Sequence, residues 1–239
     1  MIKMIRGNRD LEEATQAPFL IRRPFESLLK GFVQRVCGLT TEGAHLVPPG
    51  PIVVCANHRS HFDSVVIMSG LNLAFKDCAL LAARDYFFAD WRICCATTSV
   101  FSLIAVDRQP TASAFKRTSL ACEKFLQGGG RAIVAYPEGG RGVHTGVRPF
   151  KRGPCALALY LDAPIVPAFV DGTQHVLPKG RKLARPSPIT VRFGSPIYPD
   201  ATLPEAPFSM RVSQMTADLF EAVRRLERPD CGGNGEVCK

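Results

Sequence analysis

The amino-acid sequence predicts an α/β fold: a mostly parallel mixed sheet covered by helices on both faces, with an amphipathic helix at the N-terminal side. Three observations carry that expectation. Four short apolar runs, IVVCA at 52–56, SLIAVD at 102–107, AIVAY at 132–136 and PIVPAFV at 164–170, suit strands buried on both faces. Segments of helical character alternate with them, and strand–helix alternation favours parallel strands joined by crossover helices. The chain has 239 residues, 46% hydrophobic and 21% charged, which fits one compact core and excludes a disordered acidic protein or a polytopic membrane protein.

Taken in order, residues 1–17 are polar and unpatterned, and a helix is expected over 25–36. There Phe25, Leu28, Leu29, Phe32, Val33 and Val36 form the i, i+3, i+4, i+7 stripe of an amphipathic helix, with Arg22, Arg23, Lys30 and Arg35 flanking or opposing it. Such a helix either lies in a membrane interface or covers its own core. The turn signal PPGP at 48–51 introduces the first buried strand. Helical segments follow at 64–73 and 112–126, the latter closed by Gly128, Gly129 and Gly130. A last helix over 209–228 carries Val212, Met215, Leu219, Val223 and Leu226 on one face. The tail 229–239 is rich in Gly and polar groups. No repeat or linker is visible, so the expected organisation is an N-terminal segment and helix over 1–38, a catalytic-type domain over 39–228 and a flexible tail over 229–239.

The formal net charge is +9, which fits either an anionic partner (nucleic acid, a membrane surface or an acidic substrate) or a solvated basic face with no specific ligand. Most of it is local. Between Arg141 and Arg192 nine basic residues stand against two acidic ones. A nucleic-acid module fits poorly, because no aromatic RNA-binding motif is present and Trp91 is the single tryptophan. The uncharged run 93–106 holds 14 residues and several Ser and Thr, short of the ~20 apolar residues of a membrane span. The start of the chain lacks a secretory pattern. Nine cysteines, an odd number without a C-x-x-C pair and mostly in apolar surroundings, read as reduced core residues.

In α/β sheets ligands gather beyond the carboxyl ends of strands, and each buried run here ends in polar groups. After IVVCA comes NHRSHFD at 57–63. With His58 in the turn and Asp63 in the first helical turn, the carboxylate accepts the Nδ1 proton and leaves Nε2 free, which makes His58 a general base of fixed tautomer. The same pair also fits a surface histidine and an aspartate that complements the helix dipole. His58, His61 and Asp63 resemble a metal-ligand string, but His45, His144 and His175 supply no further cluster. No G-x-S-x-G elbow exists, so the base would act on a substrate hydroxyl or water. The other runs end in Asp107-Arg108 and in Pro137-Glu138-Gly139-Gly140-Arg141-Gly142. Arg108 and Arg141 are bidentate donors suited to phosphate, and the glycines suit close backbone approach. A base, an anion clamp and a carboxylate in one crevice point to group transfer onto a phosphorylated alcohol. The Gly-rich stretch matches neither dinucleotide nor P-loop spacing.

The ordered set NHRSHFD, VDR at 106–108, YPEGGRG at 136–142, PFKRG at 149–153 and APIVPAFVDG at 163–172 resembles the 1-acylglycerol-3-phosphate acyltransferase family of glycerolipid acyltransferases. The resemblance implies the glycerolipid-acyltransferase type of α/β fold. It implies acyl transfer from acyl-CoA or acyl carrier protein to the hydroxyl of a lysophospholipid, without an acyl-enzyme, a metal or another cofactor. On it, His58 is the general base and Asp63 its partner, while Arg84, Arg108, Glu138, Gly139, Arg141 and Lys151 hold the acceptor head group. Many relatives carry long apolar N-terminal helices, whereas this chain has only the Phe25 to Val36 stripe, which fits peripheral attachment at the cytoplasmic membrane face; no nucleic-acid partner is expected. The chain departs from the family's E-G-T-R-S pattern at Gly140 and Gly142, where hydroxyl-bearing residues are usual.

Overall fold

The structure is a computed structural model and describes residues 19–109, 111–142, 146–177, 183–201, 203 and 205–227. Segment 1–17, the tail 229–239, and His144, Lys179, Arg181 and Lys182 lie outside the described residues.

The four apolar runs form four strands: β2 (Ile52–Ala56), β4 (Ser102–Val106), β5 (Ala132–Ala135) and β6 (Ile165–Asp171). Three more join them, β1 (Thr40–Glu42), β3 (Cys78–Ala83) and β7 (Thr190–Phe193), in a seven-stranded sheet of order β1-β7-β6-β2-β5-β3-β4. All neighbours pair in parallel except β6 and β7. The five strands β2 to β6 therefore end on one edge. Central β2 is buried along its whole length, which is why its sequence is apolar without alternation.

Successive side chains point to opposite faces, and each face has its own helices. Ile52, Val54 and Ala56 meet Val65, Val66, Ile67 and Met68 of α2 (Asp63–Gly70) together with Val33. Val53 and Cys55 meet α6 (Gly153–Leu161) and the expected stripe Val212, Met215, Leu219 and Val223 of α8 (Phe208–Glu227). Helix α5 (Ala112–Gln127) covers Ala79, Ile104 and Ile133 through Cys122 and Phe125. Short helices α3 (Arg84–Phe87), α4 (Trp91–Thr98) and α7 (Thr173–Val176) follow β3, α3 and β6.

The N-terminal helix departs from a simple stripe. Helix α1 (Phe19–Gly31) contains Pro24 and passes into a π-helical turn, Phe32–Val36. A π turn adds residues per turn and rotates the following side chains, so the row splits. Val33 is buried and Leu29 and Phe32 pack on the core, whereas Phe25, Leu28 and Val36 are 43%, 67% and 52% exposed. Two of the four flanking cations turn inward. Buried Arg22 donates to the Phe75 carbonyl (2.7 Å) and to Ser102 Oγ (3.1 Å), and burial lowers its pKa. Lys30 donates to the Leu73 carbonyl (2.7 Å) and pairs with Glu26 (2.7 Å). These contacts latch α1 onto the domain.

Candidate active site

The segment leaving β2 is fixed before it turns. Asn57 Nδ2 donates to the Val170 carbonyl (2.9 Å) and Asn57 Oδ1 accepts the Val170 amide (2.7 Å), so a side chain extends the β2–β6 pairing beyond Ala56. His58 follows at the carboxyl edge of the sheet, and its backbone is held on both sides. Its N–H donates to Glu138 Oε1 (3.0 Å), and its carbonyl accepts from Gly142 N (2.8 Å). The imidazole stacks on Tyr136 with centroids 3.9 Å apart and planes 16° apart. The Tyr136 hydroxyl is joined to Ser64 Oγ (2.6 Å), and burial pushes its pKa well above the usual phenol value.

His58 Nδ1 lies 2.9 Å from Asp63 Oδ2. Asp63, the first residue of α2, is fully buried. The same Oδ2 accepts the amides of Arg59 (2.8 Å) and Ser60 (2.9 Å), and Oδ1 accepts from Thr173 Oγ1 (2.5 Å). An ionised carboxylate offers acceptors only, so Nδ1 carries the proton and Nε2 presents its lone pair. Among the described residues Nε2 has no protein partner. The dyad can therefore accept a proton from a bound hydroxyl.

The turn after β5 braces the histidine. Glu138, with a side chain 3% exposed, holds His58 N–H on one oxygen and Arg148 Nε on the other (3.0 Å). Arg148 also donates to the Gly140 carbonyl. Gly139 takes φ +74°, and the Lys151 side chain crosses over it so closely that a Cβ would sit 2.6 Å from Lys151 Cε. The positive φ selects glycine, whereas the flexible end of Lys151 could move aside from a Cβ.

The proposed anion ligands stand in different circumstances. Arg84 pairs with Asp107 (2.8 Å), which also takes Arg117 (3.1 Å), and Arg108 pairs with Asp85 (2.9 Å). Arg141 has no hydrogen bond or ion pair among the described residues. Its charge reaches His61: loss of hydration, then Arg141, then His58 push the His61 pKa down to about 4. His61 is therefore neutral near pH 7, beside Tyr86 and Phe87 with ring centroids 6.5 and 6.3 Å away.

Among the described residues no three His, Cys, Asp or Glu side chains are grouped as metal ligands would be. Burial pushes Cys78 and Cys122 up to about 12 and Cys155 to about 11, so these thiols stay protonated and poorly nucleophilic. The structure thus brings His58, Asp63, Glu138, Gly139, Arg141 and Lys151 to one edge and ties Arg84 and Arg108 to aspartates nearby. Sequence reasoning missed Tyr136, Arg148 and Thr173. Tyr136 ends a run already singled out and Arg148 sits beside one, whereas Thr173 meets its partner across 110 residues.

The family model "Acyltransferase" matches residues 38–171. The mouse 1-acyl-sn-glycerol-3-phosphate acyltransferase alpha is 30% identical over 206 residues, covering 82% of this chain and 70% of the mouse protein. The human protein of the same name is 30% identical over 165 residues, 68% of this chain and 56% of its own length. A crystal structure of the 1-acyl-sn-glycerophosphate acyltransferase PlsC from Thermotoga maritima shares the fold, with a TM-score of 0.59 at 21% identity over 86% of this chain and 79% of that one. The chain belongs to the acyltransferase family, alongside the 1-acyl-sn-glycerol-3-phosphate acyltransferases, and by that membership it is an O-acyltransferase.

Proposed function

We propose that the chain moves a fatty acyl group from an acyl thioester, of coenzyme A or acyl carrier protein, to the free hydroxyl of 1-acylglycerol 3-phosphate, giving phosphatidic acid. The observation that carries this reading is the His58–Asp63 pair, buried on the aspartate side and open at Nε2. In the reaction Nε2 takes the hydroxyl proton as the alcohol oxygen attacks the thioester carbonyl. The tetrahedral intermediate collapses, the C–S bond breaks, and the thiolate recovers the proton from the imidazolium, whose charge faces Asp63 throughout. No acyl-enzyme is needed, and no other cofactor enters.

For the acceptor phosphate, Arg141 is the foremost ligand because no carboxylate among the described residues pairs with it, and Lys151 stands next to the same turn. Glu138 serves as the brace between His58 and Arg148 rather than as a contact to the acceptor. Arg84 and Arg108 frame the site through their aspartates and contribute field more than direct bonds. The relatives' name supports a 1-acylglycerol-3-phosphate acceptor. Gly140 and Gly142 offer the acceptor no side-chain hydroxyl, so recognition rests on charge and backbone amides.

Such an acceptor resides in a bilayer. No helix among the described residues is long and apolar enough to cross a membrane. The exposed Phe25, Leu28 and Val36 support peripheral attachment through α1, at the cytoplasmic face. The opposite side of the same segment reaches the catalytic loop, where Phe32 packs edge-on to Phe62 with centroids 5.9 Å apart.

The test is a thioester-release assay with a panel of acceptors, lysophosphatidic acid first. His58→Ala should lose about 10²- to 10⁴-fold in rate while keeping the wild-type circular dichroism spectrum. A folded, fully active His58→Ala protein refutes the mechanism, and wild-type activity with no acceptor in the panel refutes the reaction.

A further inference from the structure

The general base is oriented by a residue that lies outside every motif read from the sequence. We propose that Thr173 is a positioning residue for the His58–Asp63 pair, an inference that rests on the acyl-transfer reading. Asp63 is fully buried, so water cannot supply donors to its carboxylate. Three of its four donors crowd onto Oδ2: His58 Nδ1 and the amides of Arg59 and Ser60. Oδ1 has one, the hydroxyl of Thr173, itself fully buried. The Cβ–Cγ torsion of an aspartate is soft and roughly two-fold. With both oxygens engaged from opposite sides, rotation breaks bonds at each end, and Oδ2 stays aimed at Nδ1. Without the hydroxyl, Oδ1 becomes a buried acceptor with no donor, and the carboxylate gains by turning away from His58 to share its remaining donors.

The fold is arranged to deliver this hydroxyl. Strand β6 ends at Asp171, and Gly172 turns the chain with φ +89°, where a Cβ would lie 2.1 Å from the Pro188 carbonyl oxygen. Only glycine fits, and the reversal starts α7 with Thr173 directed at Asp63. The same short segment grips the catalytic loop twice more. Asp171 Oδ1 accepts from Arg59 (3.3 Å), and the Leu177 carbonyl accepts from Ser60 Oγ (3.2 Å). Arg59, Ser60 and Asp63 are thus each matched by a partner within residues 171–177.

Thr173→Val keeps the branched shape and removes the donor, whereas Thr173→Ser keeps the donor and removes a methyl. Positioning predicts that Val lowers kcat about tenfold to a hundredfold, part of the ~10²–10⁴ that a general base contributes, with both KM values little changed. It predicts that Ser stays close to wild type. A packing role predicts the reverse order. An independent readout needs no substrate: the downfield proton resonance of the His58 Nδ1–H···Asp63 bond, assigned by its loss in His58→Ala. It should persist in Ser and shift or broaden in Val. If wild-type protein transfers no acyl group, the acyl-transfer reading fails and this resonance alone decides the role of Thr173. Wild-type kcat and an unchanged resonance in Val, or a Ser variant impaired in kcat or altered in that resonance, overturn the proposal; if Val does not fold, the Ser variant decides it.

Discussion

Arg141 and Arg108 occupy equivalent places in the motifs but differ in what already holds them. Arg108 sits in an ion pair with Asp85 in which both side chains are more than half exposed, an arrangement worth about 0–1 kcal/mol. Arg141 has no such partner among the described residues and lies close enough to the His58 loop to add to the loss of hydration that lowers the His61 pKa. A charge-assisted hydrogen bond to a phosphate contributes about 1.5–3 kcal/mol, a factor of about ten to a hundred in affinity. Arg141→Ala should therefore raise the acceptor KM by at least about tenfold and leave the acyl-donor KM nearly unchanged, and Arg108→Ala should alter both far less. Steady-state kinetics with each substrate varied in turn checks this. Equal effects of Arg141→Ala on the two KM values would remove it from the phosphate site.

At the scale of elements, what the sequence revealed depended on whether one local signal was enough. Strands β2, β4, β5 and β6 were legible because burial on both faces leaves an unbroken apolar run. Strand β3, CALLAA, has no β-branched residue and reads as helix, and only its pairing with β4 and β5 makes it extended. Strand β1 has three residues, all exposed, and β7 alternates buried with half-buried positions over four, too short a pattern to count. The α1 stripe was visible, but its split into inner and outer rows was not, because the π turn and the inward reach of Arg22 and Lys30 are properties of packing. That split makes a prediction. Phe25→Glu with Leu28→Glu changes only the outer row, so stability should move by no more than about 0.5 kcal/mol per site, as for surface substitutions. Co-sedimentation with anionic lipid vesicles should fall strongly, since two apolar groups are lost and two negative charges gained. Undiminished vesicle binding at unchanged stability would rule out α1 as the contact.

For the whole molecule, the basic excess that suggested an anionic partner proves to be spent in several ways. Arg148 braces Glu138, Arg192 pairs with Glu42, and Arg185 donates to the His175 carbonyl, so the stretch from Arg141 to Arg192 is not one uniform basic face. The dyad was one of two readings that a spacing of five residues left open, and it could be raised at all because both partners lie close in sequence. The contacts that hold it were not legible, because they close over long separations that only the finished sheet brings together. Arg59 shows this at its largest reach. From the residue after His58 it donates to Asp171 at the end of β6 (3.3 Å) and to Glu227 at the end of α8 (3.2 Å), with its guanidinium 5.2 Å from the centre of the Phe169 ring. The Arg59 side chain is only 16% exposed, while Asp171 is 48% and Glu227 26% exposed, so the bonds are partly sheltered from solvent. Arg59→Met keeps most of the apolar stem and removes both bonds, which should cost about 1–3 kcal/mol and free the last turn of α8 from the catalytic loop. Urea denaturation should report the loss, and hydrogen exchange should accelerate in the final turn of α8 and in 58–63 together, while the start of α8 stays protected by Val212 and Met215. If the end of α8 exchanges as slowly in Arg59→Met as in the wild type, Arg59 does not join the catalytic loop to the C-terminal helix.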